Sequence, residues 1–116
     1  MIDWKRVQAL KEELGADDFL PVVELFLDEL EGIVMRLAHG DAERLECDMH
    51  FLHGSAASLG FTAFASLCQQ AEIALQRQEL GGLDLGALLD CYAATKKQFI
   101  AGRHLWQGEA PNVAVR

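Results

Sequence analysis

The sequence predicts an all-α protein: an antiparallel four-helix bundle with a short additional helix at its N-terminus. Three observations carry this. Apolar residues recur every three or four positions almost throughout the 116 residues, the spacing that lines one face of a helix. Only two prolines occur, Pro21 and Pro111, so long stretches are free of the residue that interrupts a helix. No segment alternates polar and apolar residues for long enough to read as a strand.

The first segment, residues 3–14, places Trp4, Val7, Leu10 and Leu14 on one side, and Gly15 ends it. Asp17 or Asp18 is expected to cap the second helix, with Pro21 in its opening turn. That helix carries a broad apolar face from Phe19 to Leu37, and Gly40 closes it. Asp41 is the expected N-cap of a third helix over about 42–58, whose buried stripe is Leu45, Met49, Leu52, Ala56 and Leu59. Leu59-Gly60 stops it. Thr62 is expected to cap a fourth helix bearing Phe64, Leu67, Cys68, Ala71 and Leu75. Gly81-Gly82 breaks the chain, and Asp84 caps a fifth helix with Leu85, Leu88, Leu89, Tyr92, Phe99, Ile100 and Leu105. His39 and His104 read as helix-end residues facing C-terminal carbonyls. One domain is expected over residues 1–106, followed by a disordered tail at 107–116. Short loops between long helices imply antiparallel neighbours.

Composition narrows the function. The net charge is −8, and no basic run offsets it, which disfavours nucleic acid. No window approaches the roughly 18 apolar residues of a membrane span, and the N-terminus lacks the apolar stretch of a signal peptide. A cytoplasmic location is expected. Cys47, Cys68 and Cys91 are an odd set without a CxxC pair, which suits free thiols better than disulfides or zinc. Cys47, His50 and His53 recur every three residues, but no second ligand pair closes a metal site. No phosphate-binding glycine loop and no nucleotide-binding βαβ unit is present, so the chain is not expected to be an enzyme with its own ATP site.

The informative stretch is His50-Phe51-Leu52-His53-Gly54-Ser55-Ala56-Ala57-Ser58-Leu59-Gly60. On a helix at about 100° per residue, His50 lies roughly 140° from the buried stripe, on the solvent side. Gly54 and Ala57 share that side, and His53 sits on its flank. The core has no use for His50, and Gly54 costs about 1 kcal/mol of helix stability relative to alanine. The missing side chain at i+4 leaves room beside the imidazole for a large group or for another protein's active site. Histidine is a competent nucleophile near neutral pH because its neutral form is well populated.

This pattern resembles the signature of histidine-containing phosphotransfer (HPt) domains: a histidine, a glycine four residues on, small residues, Leu-Gly, then a cysteine and an acidic residue on the next helix. The matching positions are His50, Gly54, Ser55, Leu59-Gly60, Cys68 and Glu72. The resemblance implies that His50 is the phosphoacceptor and that Glu72 hydrogen-bonds its other ring nitrogen. It implies that Gly54 admits the partner, with Ser55 in a supporting role. Docking is expected around His50, Gly54, Ala57 and Phe61. The expected partners are response-regulator receiver domains or a hybrid histidine kinase, with magnesium on the receiver only and no cofactor of the chain's own. The expected state is a monomer. The family usually has lysine where this chain has His53. A histidine with an ordinary pKa of about 6.5 is mostly neutral at pH 7.5, so weaker or pH-sensitive stabilisation of phospho-His50 is expected. The alternative is a helical adaptor that keeps the docking face without using His50.

Overall fold

A computed structural model describes residues 2–103. It contains helices α1 (Trp4–Leu14), α2 (Ala16–Ala38), α3 (Leu45–Leu59), α4 (Thr62–Gln76) and α5 (Leu85–Ala101), with one 3-10 turn at Leu80–Gly82 before α5. Helices α2 to α5 close a ring in which each packs on the next and α5 returns to α2; α3 and α4 make the most extensive pair. The expected tail, and the expectations for Leu105 and His104, lie outside the described residues.

Helix α1 sits across one end of this bundle. The Asp3 N–H donates to the Gly60 carbonyl at 2.7 Å, the Arg6 Nε donates to the Ser58 carbonyl at 3.1 Å, and Trp4 stacks on Phe99 at 6.1 Å between ring centroids. The chain enters α2 and leaves α3 at that same end, as an up-and-down bundle requires. Gly60 is indispensable there. Its φ is +80°, and a Cβ at that position would stand 2.7 Å from the Asp3 carbonyl oxygen.

The core is filled from every helix: Val7 and Leu10, Val23 and Leu30, Met49 and Leu52, Phe64 and Cys68, Leu88 and Phe99 are all buried. Leu45, Leu67 and Leu75 are only half-buried and pack against that cluster. Ile100, placed by periodicity on the inner face of α5, is exposed.

Helix starts differ from expectation in three places. Helix α2 begins at Ala16, capped by Gly15 without a side-chain bond. Gly15 terminates α1 and opens α2 at once, leaving no residue between them for an aspartate cap. Asp17 and Asp18 instead lie inside the first turn, where the helix dipole favours negative charge. Pro21 consequently falls in the second turn, where it cannot return a hydrogen bond to the Asp17 carbonyl. Helix α3 starts at Leu45 rather than near Ala42, and Arg44 occupies its cap. Asp41 stands four residues before that start: its N–H closes α2 onto the Arg36 carbonyl at 2.9 Å, just after Gly40 at φ +86°, and its side-chain Oδ1 accepts from the Glu43 N–H at 3.4 Å in the connecting turn. Thr62 is the first residue of α4, with Phe61 at the cap position. Asp84 does cap α5, accepting from the Ala87 N–H at 3.0 Å. His39 Nδ1 lies 2.8 Å from the Met35 carbonyl oxygen, in keeping with a helix-end role.

One buried polar contact was not legible from the apolar pattern. Asp48 is buried on α3 and receives both guanidinium nitrogens of Arg36 from α2, at 2.9 and 3.2 Å. The bidentate bond holds Arg36 further in its charged form than usual, against the cost of partial burial. It fixes the rotation of α3 against α2 two residues before His50.

Candidate functional site

The site is built on the α3–α4 pair. Met49, Leu52, Ala56 and Leu59 turn inward from α3, and Phe64, Ala65, Cys68 and Ala71 turn inward from α4. With those faces committed to the core, His50 is rotated to the outside and Glu72 to the rim of α4 that faces it. The His50 side chain is 76% exposed, whereas that of Glu72 is 13% exposed. His50 Nδ1 lies 2.7 Å from Glu72 Oε2.

That distance suits the neutral tautomer with its proton on Nδ1. A carboxylate only accepts hydrogen bonds, so Nδ1 carries the proton and donates it. Nε2 is then left with its lone pair, on the outward side of a largely solvated ring. Such an arrangement can serve a nucleophile, with an anion behind it to compensate positive charge that would develop on the ring.

His53, one turn along α3, is 32% exposed in its side chain and directs Nδ1 toward the other carboxylate oxygen, Glu72 Oε1, at 3.7 Å. The two imidazoles therefore face opposite oxygens of one carboxylate. Glu72 is the only charged side chain on α4. Among the described residues its ionic partners are these two histidines.

Gly54 lies on the exposed face one turn beyond His50, and a Cβ there would meet nothing within 4 Å. Ala57 is exposed beside it, and Ser55 is half-buried. Phe61 does not join this surface. It is fully buried and packs edge-on against Phe99 at 5.2 Å. The reason is local: the Phe61 N–H reaches back to the Ala56 carbonyl at 2.9 Å, the 6→1 closure that folds the residue after the helix-ending glycine against the last turn. The expectation that Phe61 lies on the docking face is therefore corrected.

Phe51 was not singled out from the sequence. It follows His50 directly, is 38% exposed, and lines a cleft of about 590 Å³ between α2 and α3 together with Ile33, Arg36, Arg44 and Cys47. A large aromatic placed outside the core stripe, next to the exposed histidine, was the available signal. Among the described residues no group of three His, Cys, Asp or Glu side chains is placed to hold a metal. Nor is any helix there long and apolar enough to cross a membrane.

The sequence model of the Hpt domain family matches residues 21–98, which takes in α3, α4, His50 and Glu72. No curated protein and no solved structure matches the chain.

Proposed function

This chain belongs to the Hpt domain family, whose members are phosphocarrier modules of phosphorelays rather than kinases, and on that premise we propose that His50 is its phosphoacceptor. The group arrives from a receiver-domain aspartate, or from a histidine kinase, and leaves to a second receiver aspartate.

The observation that carries the proposal is the 2.7 Å contact between His50 Nδ1 and Glu72 Oε2 beneath a ring that is 76% exposed. In the transfer the Nε2 lone pair attacks the phosphorus of an aspartyl phosphate. The N–P bond forms as the P–O bond to the aspartate breaks, and that electron pair departs with the carboxylate. The Nδ1 proton stays in place, and Glu72 compensates the charge on the phosphorylated ring. The return step runs the same sequence backward onto the next receiver. Such transfer depends on positioning and on electrostatic stabilisation of the transferred oxygens. This chain supplies the oriented nucleophile, and the partner supplies its magnesium and aspartate pocket.

Gly54 and Ala57 leave the approach to Nε2 open, and Phe51 gives the contact an apolar centre. The encounter is transient and needs only a small interface.

The test is incubation with a phosphorylated receiver domain. The expected product is acid-labile, base-stable label on the wild-type protein and none on His50→Gln. Binding of the receiver without label on either protein would overturn the proposal and return the adaptor reading.

A further inference from the structure

The established family role asks for one histidine and one residue to orient it, yet this structure directs two histidines at one carboxylate. Oε2 of Glu72 is taken by His50 at 2.7 Å, while Oε1 is faced by His53 at 3.7 Å, just beyond hydrogen-bond reach. We propose that His53 is a positioning residue that acts through Glu72: in its protonated form it draws the carboxylate toward itself and loosens its hold on His50. The proposal rests on His50 being the acceptor.

The geometry leaves His53 little else to pair with. Glu72 is the only charged side chain that α4 carries. From α2, Arg36 is committed to Asp48 and Asp41. From α1, Arg6 is committed to the Ser58 carbonyl and Glu13. Within α3 itself, Asp48 points to Arg36, and Glu46 makes no ion pair among the described residues. Among the described residues Glu72 is thus the one acidic group in ion-pair reach of His53, and no lysine or arginine among them competes for it.

The consequence follows from charge. A neutral His53 leaves the full carboxylate to His50. An imidazolium at His53 neutralises part of that charge, by a Coulomb interaction that operates over about 4 Å at a partly screened site. The attack on phosphorus builds positive charge on the His50 ring, so the reaction loses compensation when the carboxylate is shared. Phospho-His50 becomes the less favoured side of the equilibrium, and the group passes more readily to an acceptor aspartate. Acid therefore biases the carrier toward release. A side chain that acted by contacting the phosphoryl oxygens would do the opposite, since an added positive charge there would retain the group.

Two measurements test this. The first uses unphosphorylated full-length protein with ¹⁵N-labelled histidine. The ring-nitrogen shifts of His50 should follow the protonation of His53 in the wild type, and that dependence should vanish in both His53→Gln and Glu72→Gln. His50 shifts that respond identically to pH in wild type and His53→Gln would overturn the proposal, whatever the outcome of phosphotransfer. The second compares the rate of phosphoryl transfer from phospho-His50 to a receiver in wild type and His53→Gln at each pH, which removes the intrinsic acid lability of phosphohistidine. The wild-type rate should exceed that of the variant by about fivefold at pH 5.5 and match it at pH 8. A ratio that stays flat, or falls with acid, would overturn it. Absence of any label on His50 would instead defeat the acceptor assignment itself, while the first measurement still reports on the shared carboxylate.

Discussion

Gly54 separates what the helix wants from what the function wants. It lies within α3, on an exposed face, with no steric reason to be glycine: a Cβ there meets nothing within 4 Å, and its backbone is helical. Gly54→Ala should therefore stabilise the protein by about 1 kcal/mol, the helix-interior difference between the two residues. In a domain of this size that is roughly a 4 °C rise in Tm. A longer side chain should fold equally well and fail in transfer. Helical side chains lean toward the N-terminus, so the side chain at 54 leans back over residue 50, whose Cβ is about 5–6 Å away. Gly54→Leu would cover the approach to Nε2 and hold a partner's aspartate off the nitrogen. A displacement of about 1 Å is enough to slow a positioned reaction ~100-fold. Thermal unfolding by circular dichroism and transfer from a phosphorylated receiver give the two readouts. A destabilised Gly54→Ala would refute the helical, open environment assigned to this position. A well-folded Gly54→Leu that transfers at the wild-type rate would refute the idea that the gap serves a partner.

Further expectations follow from the same contacts. Phe61→Ala should cost about 3–5 kcal/mol in denaturant unfolding, because a fully buried aromatic leaves a cavity, whereas Phe51→Ala should leave stability nearly unchanged and weaken receiver binding, read by titration calorimetry. Arg36→Ala should lower the Tm more than Asp48→Asn does, since the first strands a buried carboxylate without its partner and the second leaves a guanidinium that can still reach water. Thiol reagents at pH 8 should label exposed Cys47 first and reach Cys68 only on unfolding, because burial pushes the Cys68 thiol up to about 12 from its ordinary 9. Burial and the neighbouring Glu31 carboxylate also push Tyr92 upward. For both groups the unfolded chain loses its proton first as pH rises. Their contribution to stability is complete below about pH 9 and is lost toward pH 12, which melts at pH 8 and 10.5 would reveal as a falling Tm.

The fold and the centre of the site were legible because both are periodic. The 3.6-residue repeat placed Met49, Leu52, Ala56 and Leu59 inside, and the same rotation put His50 outside. Glycines at 15, 40 and 60 marked helix ends, where the left-handed backbone they adopt is needed. What misled was adjacency at those ends. Asp17, Asp41 and Thr62 look like caps when each helix is considered alone, but back-to-back helices share a glycine or spend the next N–H closing the previous turn. Phe61 follows a helix stop and looks like exposed loop, although the closure after Gly60 turns it into the core. Asp48 looks like a solvated charge until Arg36 arrives from another helix.

The sequence by itself thus determined which residues face inward, where the helices end and which histidine is offered to solvent, since these depend on spacing along one chain. The 2.7 Å distance from His50 to Glu72, which the resemblance led one to expect, had to come from the tertiary structure, and it alone decided that His53 faces the second oxygen of that carboxylate and that Phe61 is buried. Those are distances between helices, set by how side chains from α2, α3 and α4 interlock, and no periodicity within a single helix encodes them.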